Sequence, residues 1–157
     1  MLIECITDQN RQQINDFILD HWYTTKMIVR GKEIDMTTTD GFFLAEKGQI
    51  IGLITYILYN NTMEIMSLDS LLGNRGIGSK LLETTIAKAK QLGCRNIVLI
   101  STNDNINALR FYQKRGFDMI ALHHNALDVS RKLKPEIPLI GENDIPLRHE
   151  IEFEMIL

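Results

Sequence analysis

The sequence predicts one α/β domain over residues 1–157: a mixed, mostly antiparallel central sheet with helices on both faces. Three observations predict it. In GFFLAEKGQIIGLITYIL (41–58) two β-rich runs meet at a glycine turn, and a third run follows Asn60-Asn61. From Ile77, the apolar residues Leu81, Leu82, Ile86, Ala89 and Leu92 recur at helical spacing. NIVLI (96–100) is a continuous apolar run, the pattern of a strand buried on both faces.

The elements follow in order. LIECIT (2–7) alternates as a short strand, and Asp8 is the expected N-cap of a helix to about residue 21 with Ile14, Phe17, Ile18 and His21 on one face. Residues 22–40 lack periodicity and are expected to form an irregular connection with a short helix. The 41–58 hairpin turns at EKGQ, where Gly48 supplies a positive φ, and Asn60-Asn61 turns the chain into a strand over 62–69. The helix from Ile77 ends with Lys88 and Lys90 favourable to its dipole and Gly93 at C′. After the 96–100 strand, STNDN (101–105) offers N-caps for a helix bearing Ile106, Leu109, Phe111 and Tyr112, closed by Gly116; FDMIAL (117–122) is a further strand. EIEFEMIL (150–157) alternates strictly, a half-buried strand whose glutamates are expected to face solvent. Residues 123–149 hold all three prolines, and so long a connection in a compact domain is usually functional.

Composition sets the class. Apolar residues make up 45% and charged residues 24% of the 157, and the net charge is −3. That charge argues against a dedicated nucleic-acid binder. The longest apolar run, IIGLITYIL (50–58), is strand-sized, so no membrane partner is expected. MLIECITDQNRQQ has no apolar h-region, and Cys5 and Cys94 read as reduced thiols, so a cytoplasmic protein is expected. His123-His124 has no third ligand at a recognisable spacing, so no metal is expected.

The chemistry concentrates in LLGNRGIGSKLLETTIAKAKQLG (71–93), where glycines 73, 76 and 78 run into the helix. Unpaired N–H groups at such a start suit an anion. A P-loop fits only in part, because Ser79-Lys80 stands in reversed order. A dinucleotide fingerprint fits in part too, because Gly76-x-Gly78 is followed by Leu81. The arrangement that fits is strand, GNRGIGSKLL, helix, strand, then NDNINALRFYQKRGF. This order resembles the GNAT superfamily, the GCN5-related N-acetyltransferases. Its R/Q-x-x-G-x-G/A loop aligns with residues 73–78, departing at Gly73, and its N-x-x-A-x-x-F-Y-x-x-x-G-F pattern is met by Asn105, Ala108, Phe111, Tyr112, Gly116 and Phe117.

The resemblance implies a GNAT acyl-CoA acyltransferase fold and transfer of an acetyl group from acetyl-CoA, as cosubstrate, to a primary amine. It implies that Asn74, Arg75, Gly76, Ile77, Gly78 and Ser79 hold the pyrophosphate, with Arg75 supplying the charge missing at Gly73. Leu68, Asp69 and Ser70 would bond the pantetheine and polarise the thioester carbonyl. Asn105, Ala108 and Tyr112 would face the thiol end. Tyr112 is the expected general acid, since its reference pKa of about 10 is near that of a thiol; taken alone, it reads as a core tyrosine. Glu64 is the first and Asp69 the second expected base, a solvated strand residue being the plain alternative for Glu64. Trp22, Phe42 and His123 are expected on the acceptor side, with the charged 123–149 segment covering it. The acceptor is a small molecule or peptide amine, and the protein a monomer or homodimer. The alternatives are a non-catalytic acyl-CoA-binding module and an unrelated nucleotide-binding α/β domain.

Overall fold

The computed structural model describes residues 2–73 and 75–157. In chain order the elements are β1 (Ile3–Cys5), α1 (Arg11–Trp22), β2 (Lys26–Val29), β3 (Lys32–Asp35), β4 (Asp40–Glu46), β5 (Gln49–Tyr59), β6 (Thr62–Ser70), α2 (Ile77–Gln91), β7 (Asn96–Thr102), α3 (Ile106–Lys114), β8 (Asp118–His123), α4 (Ala126–Leu133) and β9 (Glu150–Ile156). The expected class is the one found: α and β mixed, with largely antiparallel pairing. The chain groups into two units. One holds the residues up to Lys26, Asp35–Ile97 and Leu157; the other holds Met27–Ile34 and Val98–Ile156.

In the first unit β1, β4, β5 and β6 pair in that order, all antiparallel. Two-residue turns at Lys47-Gly48 and Asn60-Asn61 have positive φ throughout, a geometry whose twist matches that of the strands it joins. Gly41 sits where a Cβ would strike the Ile54 carbonyl on β5. The helix α2 packs on β4, β5 and β6. A Cβ on Gly52 of β5 would lie 2.5 Å from Ile77 Cγ2 and 3.0 Å from Leu81 Cδ1, so the missing side chain is what lets the helix approach. Leu44, Ile54, Ile77, Leu81 and Leu82 fill that layer, fully buried, each contributing about 1.5–3 kcal/mol. The helix ends as expected at Gly93: the Cys94 N–H donates to the Ala89 carbonyl (2.9 Å) and the Gly93 N–H to the Lys90 carbonyl (3.1 Å), a Schellman cap.

Two local expectations are corrected here. The N-cap of α1 is Asn10, not Asp8, and its side chain faces backwards: it accepts from the Thr7 N–H and donates to the Cys5 carbonyl. The 22–40 stretch does hold a short 3-10 turn (Met36–Thr38), but most of it is the hairpin of β2 and β3, turned at Arg30-Gly31. Four-residue strands with no buried residue give no periodicity to detect.

In the second unit β7, β9 and β8 lie side by side, β8 antiparallel to β9. Tyr112, Phe117 and Phe153 form its aromatic core. Ile106, placed by its spacing on the buried face of α3, is exposed. The 123–149 segment is not a featureless loop: it carries α4, a 3-10 turn (Glu142–Asp144) and the Ile140–Pro146 bridge. Arg131 fastens it by donating to the carbonyls of Ile137, Pro138 and Leu147. The Asp104 carboxylate accepts the Glu142 N–H at 2.9 Å beside Gly141, where a Cβ would collide with it.

Candidate functional site

In the first unit the site begins at an irregularity in β6. Thr55 pairs with Ser67, but Tyr56 pairs with Ile65, so Met66 is an extra residue, a bulge. The buried hydroxyls of Thr55 and Ser67 meet at 2.6 Å beside it. Leu68, Asp69 and Ser70 complete the strand opposite Ile54, Leu53 and Gly52. The loop to α2 follows; Asn74, expected in the phosphate cradle, lies outside the described residues. Gly76 caps α2 at φ 70°, its carbonyl taking the Lys80 N–H, and as a glycine it brings no side chain to the cap. A Cβ at Gly73 or Gly76 would meet nothing within 4 Å. The start of α2, at Ile77, Gly78 and Ser79, is thus a helix N-terminus with glycine at its N-cap and open space beside Gly73 and Gly76, and Ile77 is sunk against Gly52 to hold it in place.

Arg75, expected at the pyrophosphate, has a partner on β4. Its guanidinium is engaged in a forked contact with Glu46, Nη1 to Oε2 at 3.2 Å and Nη2 to Oε1 at 3.3 Å. This contact holds the Glu46 carboxyl below its usual range and the Arg75 guanidinium above its own.

Trp22 and Asp69, far apart in sequence, are brought together. The indole N–H of Trp22, the last residue of α1, donates to Asp69 Oδ2 at 3.3 Å. Burial pushes the Asp69 carboxyl above the ordinary carboxylate range, against the opposing pull of the indole N–H and of His21. Glu64 is not the solvated residue of the plain alternative: it is 4% exposed and accepts the Tyr59 hydroxyl at 3.2 Å. Phe42 is buried on β4, 6.2 Å from the Tyr56 ring, at a cleft of about 230 Å³ that also takes in Asp40 and Lys88. Burial, then the nearby Asp40, pushes the Tyr56 phenol up to about 12.

In the second unit Asn105 is the N-cap of α3, and its Oδ1 accepts the Ala108 N–H at 3.0 Å. The two residues singled out by the motif are therefore partners in a cap. Tyr112 is 7% exposed, with ring contacts to Phe111, Phe117 and Phe153 at 5.1, 5.5 and 5.9 Å.

His123 leads to residues the sequence reading missed. Its Nε2 lies 3.0 Å from Glu152 Oε1, which also meets Arg30 Nε at 3.5 Å. Glu150, two residues earlier on β9, is 3% exposed and accepts the Arg30 backbone N–H at 3.3 Å. The expectation that the β9 glutamates face solvent is overturned at 150 and 152, because the β2–β3 turn and β8 supply their partners. Alternation alone could not reveal this, since Arg30 is 120 residues away from Glu150 in sequence. Behind them His149 stacks on His124 at 4.7 Å, and its Nδ1 accepts the Asn125 N–H. Desolvation, then the adjacent His124, lowers the His149 pKa. Among the described residues no group of three or more His, Cys, Asp or Glu is placed to hold a metal ion, and no helix is long and apolar enough to cross a membrane.

Known proteins match this chain over most of its length. The family model described as "Acetyltransferase (GNAT) family" matches residues 7–117. The uncharacterized protein YdhI of Bacillus subtilis is 44% identical over 148 residues, 94% of this chain and 92% of that protein. A second B. subtilis protein, YxbD, also uncharacterized, is 43% identical over 88% of this chain and 87% of its own. Among solved structures, an IAA acetyltransferase from Bacillus cereus has a TM-score of 0.72 at 24% identity, covering 99% of both chains. A B. subtilis acetyltransferase in complex with CoA has a TM-score of 0.69 at 22% identity, covering 99% of this chain and 97% of that one. These structures share the fold. With more than two thirds of its length matched by the family model, the chain belongs to the acetyltransferase (GNAT) family.

Proposed function

We propose that the protein transfers the acetyl group of acetyl-CoA to a primary amine, as one domain in which both units take part. The observation that carries this reading is the start of α2. A helix N-terminus with glycine at its N-cap, entered through Gly73 and Gly76 with open space beside them, suits a pyrophosphate. CoA is the ligand of the B. subtilis neighbour, and the same cradle is proposed here. The family match spans parts of both units, which supports a single domain.

The roles follow from chemistry. The amine lone pair attacks the thioester carbonyl, the C–N bond forms and the C–S bond breaks. The amine loses a proton and the thiolate gains one. The backbone of Leu68–Ser70, beyond the Met66 bulge, is proposed to bind the pantetheine and polarise the carbonyl. Asp69 is proposed as base in preference to Glu64. Its carboxyl is raised by burial toward the range where a base is effective. Glu64 lies five residues up the strand, roughly 17 Å away at strand rise, under the Tyr59 hydroxyl. Tyr112 is proposed as the acid.

Titration calorimetry with acetyl-CoA, CoA, ATP and NADH tests the cradle, and thiol release on adding a panel of amines tests the transfer. Selective binding of the CoA species with amine-dependent thiol release is expected. CoA binding without turnover would leave a binding module, and preference for ATP or NADH would sink the reading.

A further inference from the structure

Within the second unit a cleft of about 490 Å³ opens among the Arg30-Gly31 turn, the end of β8, the first turns of α4 and the start of β9. That volume lies within the range of small-ligand sites, roughly 300–1,000 Å³. Its two walls differ in chemistry. One is aliphatic: Leu122 and Val129 line it while 60% and 51% exposed. Apolar side chains left this open in a concavity are a surface that a ligand's hydrocarbon would cover. The other wall is charged. Glu150 lines it, nearly buried, and Glu152 stands beside it, joined to Arg30 and to His123. Glu150 accepts the Arg30 backbone N–H and Glu152 meets the Arg30 guanidinium, so two carboxylates face one cationic side chain. Glu150 and Glu152 against Arg30 leave these side chains net negative, and the burial of Glu150 strengthens its pull on a cation.

We propose that this cleft binds a small, apolar-flanked primary amine as its ammonium ion, the cation toward Glu150 and the hydrocarbon on Leu122 and Val129, and that such an amine is the acetyl acceptor. The acceptor clause rests on the acetyltransferase reading; the binding clause does not. Before transfer the ammonium gives one proton to base. The nitrogen lone pair then forms the C–N bond and the nitrogen gives up a second proton, while the sulfur keeps the electron pair of the broken C–S bond and takes up one proton, so that one proton is released overall.

The probe is phenethylamine, titrated calorimetrically into the full-length protein without CoA. Its anionic counterpart 3-phenylpropionate and the flankless spermidine serve as comparators. Phenethylamine is expected to bind and the other two to bind more weakly or not at all. Glu150→Gln is expected to weaken binding about tenfold by removing a charge-assisted contact. Because Glu150 is buried, Val129→Trp provides a second variant: it fills the cleft from a half-exposed position and is expected to abolish binding with circular dichroism unchanged. Tighter binding of 3-phenylpropionate, no binding of phenethylamine, or binding indifferent to Val129→Trp would overturn the site. The acceptor clause is read separately, by acetylation of phenethylamine. If phenethylamine binds but only spermidine is acetylated, the acceptor assignment falls and the acetyltransferase reading stands. If acetyl-CoA itself does not bind, that reading fails and the cleft keeps its ligand.

Discussion

The Trp22 indole N–H donates to the Asp69 carboxylate across 3.3 Å, tying the end of α1 to the end of β6. The contact stabilises the anion of a carboxyl that burial disfavours. In Trp22→Phe the indole donor is gone, so the Asp69 pKa rises further. The acid limb of the kcat/KM profile is expected to move to higher pH. An acid limb that stays in place would show that Asp69 is not the base.

Asp69→Asn separates catalysis from stability. Turnover is expected to fall about 100-fold or more, the usual contribution of a positioned base. Stability responds in the opposite direction. A carboxyl whose folded pKa is raised binds its proton more tightly folded than unfolded, so the wild type loses stability as pH rises through that window. Asparagine carries no such term. The variant is expected to melt higher than wild type at pH 7, with the gap closing below about pH 4. Melting curves across pH check the sign.

Tyr112→Phe keeps the ring among Phe111, Phe117 and Phe153 and removes only the hydroxyl. A stability change of about 1 kcal/mol is expected from the lost hydroxyl. Turnover should fall by about 100-fold while acetyl-CoA affinity holds. Equal losses in turnover and affinity would make the tyrosine an anchor and not a proton donor.

Gly52→Ala pushes a methyl to 2.5 Å from Ile77 and 3.0 Å from Leu81. Overpacking of this kind costs about 1–3 kcal/mol. It also displaces the first turn of α2, so CoA affinity should fall with the melting temperature. Gly73→Ala, with nothing within 4 Å of its Cβ, is the control and should leave the melting temperature unchanged.

Glu46→Gln releases Arg75 from its exposed carboxylate partner. Exposed pairs contribute little to stability, so melting should hardly move. CoA should bind more tightly at low salt, the gain fading as ionic strength screens the freed charge. Unchanged affinity at low salt would mean Arg75 does not reach the phosphates.

Features governed by short-range rules were legible in the sequence. The Lys47-Gly48 and Asn60-Asn61 turns and the Gly93 cap follow from backbone preferences of a few adjacent residues, and the structure has them where the sequence put them. The glycines before α2 likewise announced a helix start, and glycine stands at its N-cap. What the sequence hid depends on distant partners. Asn10 displaced Asp8 as cap because its amide engages Cys5 and Thr7 behind the helix. Glu150 and Glu152 looked like solvated alternation until Arg30 and His123 were seen beside them. Asn105, legible from its motif, turned out to spend its carbonyl oxygen on the Ala108 N–H.

Gly41 has a consequence for mutational scanning. Any side chain there would run into the Ile54 carbonyl and force β4 away from β5. In a saturation library selected for acetylation, position 41 should therefore score as intolerant, as strictly as a residue that touches substrate. A parallel selection for soluble expression alone would give the same intolerance at 41 but relax at Asp69 and admit phenylalanine at Tyr112. The difference between the two screens separates chemistry from architecture, position by position.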